Sequence, residues 1–270
     1  MANNGSDSGV VPAIDTATPA EQEKPFNPLD MLLAAAQQTE EPEPETDYYK
    51  PLTDGADGFA LFTDPHAAEA AMGYKNGGET DWWYGHLTAN QRTAVQSYTG
   101  SGYHPMNDWM RMLTDYASET TQARINSLQH ALDKFTLPQA IVTHRGMGPE
   151  ILGLPSSATP NEIFSRVMDI MTYGGKITDL GFTSSSVSSG ANFSGKVVIH
   201  TQTPAGKGIG AFVAGISSFK NENEFLYNSG THFEILGAYI QGGQVHINAR
   251  YGGRDKSTNH AKHIKEKQNG

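Results

Sequence analysis

The sequence predicts an α+β fold, and two observations carry that prediction. Helix signals dominate from about residue 48 to residue 135. Runs of β-branched and aromatic residues then take over, punctuated by short turn sequences. Helices first and antiparallel strands later is the pattern of a segregated α+β domain.

The helices announce themselves by their caps. Asp64-Pro65 opens a run of alanines that stops at Gly73. Thr88 with Gln91 forms a capping box for a helix through Ser97, and Thr159-Pro160 with Glu162 opens another that ends before Gly174. Tyr103 to Tyr116 and Glu119 to Phe135 read as two more. Strands are expected over Ala140 to Thr143, Phe182 to Ser186, Lys196 to Thr203 and Ala211 to Ile216. Glu222 to Tyr227 is expected to meet Thr231 to Ile240 across Asn228-Ser229-Gly230, and Gly242-Gly243 signals a further hairpin.

The chain has 270 residues and a net charge of −10. Residues 1–50 hold ten carboxylates against Lys24 and Lys50, with abundant Pro, Ser, Thr and Asn. Such a segment buries too little apolar surface to offset its ordering entropy, so 1–50 reads as an acidic disordered leader. Within it, Asn27-Pro28 followed by Leu29, Leu32 and Leu33 marks one short helix. Residues 51–250 read as one globular domain and 251–270 as a basic polar tail. With no cysteine, thiol nucleophiles, disulfides and Cys-based metal sites are excluded. No apolar run approaches about 18 residues, so no membrane partner is expected. No basic n-region precedes an apolar stretch, so a protein that acts inside another cell reaches it by another route, as a delivered effector or with a virion. Nucleic acid is not an expected partner of so acidic a chain.

Several motifs fail on context. Gly206, Gly208 and Ala211 fit a dinucleotide fingerprint nominally, but a strand follows where a helix is required. His260 and His263 have metal-like spacing in the polar tail without a third ligand, so no metal is expected.

Three segments carry the positive signal. Thr143-His144-Arg145-Gly146 ends an apolar strand, and an arginine there can clamp a pyrophosphate. Gly181 to Ser186 places hydroxyls on a β segment. Glu222-Asn223-Glu224 opens a strand, and alternation puts both carboxylates on one face, where repulsion raises at least one pKa. A fourth segment is Tyr98-Thr99-Gly100-Ser101-Gly102-Tyr103, followed by Asn107 and Arg111.

In this order the segments resemble the Arg–Ser–Glu class of mono-ADP-ribosyltransferases, and specifically the arginine-modifying branch that includes bacterial actin-modifying toxins. The resemblance covers roughly Asp81 to Ile240. It implies a split pair of antiparallel sheets with a helical lobe beside an NAD cleft. It implies that NAD is a substrate and that an arginine of a target protein accepts ADP-ribose. By the same resemblance Glu224 stabilises the cation formed at the ribose and Ser184 orients Glu224. Arg145 holds the phosphates, with Arg111 as a second positive contact. Asn107 and Tyr98 belong to the nucleotide site, Gly146 admits the nicotinamide amide, and Phe193 stacks on its ring. Glu222 selects the acceptor, with Phe219 as the aromatic of the acceptor turn. Two departures stand out: Ser184-Ser185-Ser186 replaces Ser-Thr-Ser, and His144 precedes the arginine where an apolar residue is commoner. The competing readings are an NAD glycohydrolase, a non-catalytic binding or virion module, and a glycosidase using the two glutamates.

Overall fold

The computed structural model describes residues 47–189, 194–217 and 222–255. The chain divides into a first unit, Met1–Glu45, and a second, Thr46–Gly270, to which all described residues belong. Residues 1–46 of the acidic leader, its short helix, Phe193, Phe219, and His260 and His263 lie outside the described residues, whereas the leader's last four residues are described and Asn248 of the final strand donates to the Tyr48 and Lys50 carbonyls.

Six helices are described: α1 (Pro65–Ala71), α2 (Glu79–Gly85), α3 (Ala89–Ser97), α4 (Tyr103–Met110), α5 (Glu119–Leu132) and α6 (Pro160–Thr172). The caps act as the sequence predicts. The Asp64 carboxylate accepts from the His66 amide, and both capping boxes are complete. Between α3 and α4 the chain passes through a π turn, Tyr98–Gly102, with non-helical backbone at Gly100. Turns of this kind are frequent at functional sites. The expected helix to Tyr116 ends at Met110, and Met112 takes a positive φ of 59° just beyond it.

The strands are β1 (Thr136–Leu137), β2 (Ile141–Met147), β3 (Lys176–Asp179), β4 (Thr183–Ser186), β5 (Val197–Thr203), β6 (Gly206–Lys207), β7 (Gly210–Phe212), β8 (Glu224–Tyr227), β9 (Thr231–Gln241) and β10 (Gln244–Arg254). β1 and β6 form a small pair, and the rest follow the order β3-β9-β10-β5-β2-β4-β8-β7. One residue pair, His144 opposite Ser186, joins β2 to β4. The sheet is thus two halves meeting at a single point, which is the split expected from the sequence. The strands are not all antiparallel, because β5 and β10 run parallel.

Two expectations need correction. Asn228-Ser229-Gly230 is no hairpin turn: β8 pairs with β4 and β7, whereas β9 pairs with β3 and β10. Asn228 is instead a buried tether, its amide nitrogen donating to the Gln129 carbonyl and the Asp133 carboxylate. The domain edge expected at residue 250 falls inside β10, where Arg254 pairs with Asp133 at 2.9 Å. The Gly242-Gly243 hairpin forms as predicted, with φ of 60° and 80°.

The core ties the helical lobe to β8. Trp83 of α2 is fully buried, donates to the Ala131 carbonyl at 2.8 Å and meets Phe135 edge to face. Phe135 in turn meets Phe225 of β8. Buried aromatics of this kind are worth about 3–5 kcal/mol each on truncation to alanine. Tyr227, also fully buried, bonds through its hydroxyl to Thr143 of β2 at 2.7 Å and to Thr203 of β5. This contact fixes the end of β8 against the strand that carries Arg145.

Candidate active site

β8 begins at Glu224, and its first side chain is 5% exposed. Burial pushes the Glu224 carboxyl up to about 7, and the charge of Glu222 adds to that rise. Hydrogen bonds from the Ser184 and Ser217 hydroxyls and the nearby Arg145 guanidinium work in the opposite direction. The result is a carboxyl that titrates near neutrality, ringed by two hydroxyl donors and one cation. Such a perturbation, caused by burial together with named charge and hydrogen-bond partners, marks a functional-site candidate.

Glu222 reaches this carboxyl by a different path from the one expected. It lies before β8, exposed, and Asn223 has a left-handed φ of 46°. The strand alternation that would put Glu222 and Glu224 on one face is therefore broken. A turn brings the two charges together. Asn223 is among the residues that tolerate this conformation, and it is buried. Its amide nitrogen donates to the Pro65 carbonyl at 3.4 Å, and its own carbonyl accepts from Val187. The turn is thus anchored to both α1 and the segment after β4.

Arg145 stands on β2 opposite Ile199. Its Nη1 donates to the Ser184 carbonyl at 2.8 Å, and its buried Nε has no partner among the described residues. It lines a shallow pocket with Asp179, Thr183, Ser185 and Ile199. Gly146 follows in the same strand, opposite Val198. Ser184 therefore touches both charged groups, Glu224 through its hydroxyl and Arg145 through its carbonyl.

In the fourth sequence segment most of the polar groups are engaged within the protein. Tyr98 and Asn107 are turned inward, 4% and 3% exposed. Asn107 donates to the Tyr98 hydroxyl at 3.0 Å and to the Phe182 carbonyl at 3.2 Å, and it accepts from the Phe182 amide at 2.9 Å. These bonds use both of its N–H donors and one acceptor site of its oxygen. Arg111 pairs bidentately with Asp179, both contacts at 2.8 Å. His144 also finds its place. It is 1% exposed, and its Nδ1 meets Nδ1 of His200 at 2.7 Å rather than facing the cleft.

Asp179 and Ser217 are the site residues that the sequence did not mark. Neither sits in a run with a pattern of its own, and each is identified only by the contact it makes. Among the described residues, no group of three His, Asp or Glu side chains is placed to hold a metal, and no helix is long and apolar enough to cross a membrane.

Comparison with known proteins places this arrangement. A family model described as ADP-ribosyltransferase exoenzyme matches residues 76–268. A curated relative from Serratia proteamaculans, NAD(+)--protein-arginine ADP-ribosyltransferase Tre1, is 29% identical over 162 residues, which are 60% of this chain and 32% of that protein. The chain thus spans about a third of the length of that relative. Among solved structures, the ADP-ribosyltransferase toxin Plx2a from Paenibacillus larvae is similar with a TM-score of 0.61 at 21% identity. The match covers 75% of this chain and 100% of that one. The toxin BECa of a binary enterotoxin of C. perfringens, solved with NADH, gives a TM-score of 0.58 at 23% identity over 71% of this chain and 50% of that one.

Proposed function

Because the chain belongs to the ADP-ribosyltransferase exoenzyme family, we propose that it cleaves nicotinamide from NAD and transfers ADP-ribose to an arginine of a target protein, with residues 51–250 as the main part of the catalytic domain. The observation that carries this reading is the buried Glu224 carboxyl, held by Ser184 and Ser217, facing Arg145 and flanked by an exposed Glu222.

The chemistry follows from those groups. The bond between C1′ of the ribose and the nicotinamide nitrogen breaks, and its electron pair leaves with neutral nicotinamide. C1′ becomes an oxocarbenium-like cation, which the Glu224 carboxylate stabilises at short range. Arg145 binds the pyrophosphate, using the donors that Ser184 leaves open. Gly146 presents bare backbone to the nicotinamide end. The acceptor guanidinium, with a pKa above about 12, is a poor nucleophile until it loses a proton. Glu222 holds it and takes that proton as its nitrogen bonds to C1′. The family resemblance assigns Phe193 to the nicotinamide ring and Phe219 to the acceptor.

The test uses NAD labelled on the adenylate, with agmatine as an arginine mimic. Wild type is expected to release nicotinamide and label agmatine. Glu222→Gln is expected to keep nicotinamide release and lose labelling, and Glu224→Gln to lose both. Nicotinamide release without any labelling would replace the reading with a glycohydrolase.

A further inference from the structure

The carbonyl of Phe182, two residues before Ser184, accepts three side-chain donors. They are the Tyr98 hydroxyl at 3.0 Å, the Asn107 amide at 3.2 Å and Arg111 Nη2 at 3.3 Å. Beside it, the Asp179 carboxylate accepts four. Arg111 Nε and the Gly181 amide bond to one oxygen at 2.8 and 3.0 Å, and Arg111 Nη2 and the Thr183 hydroxyl bond to the other at 2.8 and 2.7 Å. Asp179 is 7% exposed, so none of this is a solvated surface pair. The approach is so close that a Cβ on Gly181 would lie 2.6 Å from the Asn107 oxygen and 3.0 Å from Arg111 Nε.

One carbonyl and one carboxylate, each holding several donors, thus lock residues 181–183, and Ser184 follows directly. We propose that Asp179, paired with Arg111, is a positioning residue that sets the backbone at Phe182–Thr183 so that Ser184 meets Glu224 with its hydroxyl and Arg145 with its carbonyl. Tyr98 and Asn107 close the same clamp from the π turn and α4. The inference rests on the proposed function only in taking Glu224 and Arg145 as the working groups. β4 is paired along its four residues with β8 but by a single bridge with β2, so the ladder alone does little to fix it against the strand that carries Arg145. A catalytic group displaced by about 1 Å can lose about 100-fold in rate, which is the need such a clamp meets. On this account the Tyr98, Asn107 and Arg111 segment acts on the site through Ser184.

The test is a cycle on the full chain: Asp179→Asn, Ser184→Ala and the double variant. Each is read by the kcat and KM of nicotinamide release. The titration of the Glu224 carboxyl is read separately, in carbon-13 glutamate-labelled protein, with the signal assigned by Glu224→Gln. Asp179→Asn is expected to lower kcat about tenfold with KM within about threefold. It is also expected to raise the Glu224 midpoint, as Ser184→Ala does. In the Ser184→Ala background it should change neither kcat nor the midpoint. Tyr98→Phe, which removes one donor and no charge, is expected to show the same pattern at smaller size, and it serves if Asp179→Asn does not fold. Three results would overturn the proposal: a raised KM with kcat intact, losses that multiply in the double variant, or a lowered Glu224 midpoint. The last is the through-space signature of removing a negative charge. A wild type that cleaves no NAD would sink the proposed function, while the titration would still judge the clamp.

Discussion

The Ser184 hydroxyl donates to the Glu224 carboxylate, although the residue directly opposite Glu224 in the β4–β8 pair is Ser186. Ser186 is committed elsewhere: its hydroxyl donates to the Ser188 carbonyl at 3.0 Å and accepts from the Ser188 amide at 3.2 Å. Ser184 lies two residues along the same face, within diagonal reach of Glu224. The three consecutive serines therefore differ in role, and only the first serves the carboxylate.

That difference predicts a pH effect. Glu224 titrates near 7, chiefly because it is buried, and the bond from Ser184 favours its charged form. If the carboxylate is the working form, nicotinamide release rises with pH along a limb centred near 7. Ser184→Ala removes support for the charge, so the limb should move to higher pH. Ser186→Ala should leave it in place. The kcat/KM profile between about pH 5 and pH 9 checks both; a limb that stays put in Ser184→Ala contradicts the assignment.

Glu224 also makes the fold sensitive to pH in the basic direction. Its folded pKa, about 7, lies above the ordinary 4.5. Between those values the folded protein holds a proton that the unfolded chain releases. The resulting stability is complete below 4.5 and is lost as pH rises through 7. Glu224→Gln stays neutral throughout. Relative to wild type it should gain about 2–3 kcal/mol between pH 5 and pH 8. Denaturant unfolding at the two pH values measures the gain, and an equal difference at both would show that Glu224 is ionised in the fold at pH 5.

What the sequence made legible follows what is local. Caps depend on residues three apart, so Thr88 with Gln91 and Thr159 with Glu162 predicted their helices. α2 was not foreseen because Gly78 precedes it with no side-chain cap and its Trp-Trp-Tyr run carries no strong helix preference. β3 has only four residues and its pattern is too short to stand out. The β8–β9 hairpin was misread because Asn-Ser-Gly is good turn chemistry. What decides the pairing is not local: Phe225 is buried against Phe135, and Tyr227 against Phe233 and Tyr251, while β8 ladders with β4 and β7. In the site, Arg145, Ser184 and Glu224 gained meaning only as an ordered set. Asp179 has a role because Arg111, 68 residues away, meets it. The grouping of Tyr98, Asn107 and Arg111 was visible, and their common target, the Phe182 carbonyl, was not.

A chain of imidazoles gives the opposite pH response. His144 meets His200, and His200 Nε2 meets His246 Nδ1 at 2.9 Å, with Tyr239 stacked on both His200 and His246. Burial lowers His144 to about 4. It also lowers His200, with the charges of His144 and His246 adding, and it lowers His246. Neutral imidazoles in the fold contribute stability that is present above about 6.5 and lost as pH falls through their folded values. His144→Gln should therefore retain about 2 kcal/mol more of its own pH 7 stability at pH 4.5 than wild type does. Urea unfolding at the two pH values tests this, and identical losses in both proteins would show that His144 does not take up the proton.

Arg145 allows a test that separates charge from geometry. Its Nη1 is held by the Ser184 carbonyl, and its buried Nε–H has no partner among the described residues. A planar guanidinium can keep the first bond and still offer donors to a pyrophosphate, whereas an ammonium is a point charge that cannot do both. Arg145→Lys preserves the charge, so a purely electrostatic role would survive it. If the fork matters, the KM for NAD should rise about tenfold or more, and ADP-ribose, which carries the pyrophosphate, should bind correspondingly less tightly. Nicotinamide, which lacks phosphate, should bind as it does to wild type. Calorimetric titration with the two fragments distinguishes the cases. Equal weakening of both would mean that the substitution disturbs the pocket as a whole, and an unchanged affinity for ADP-ribose would show that the charge alone suffices and the fork does not matter.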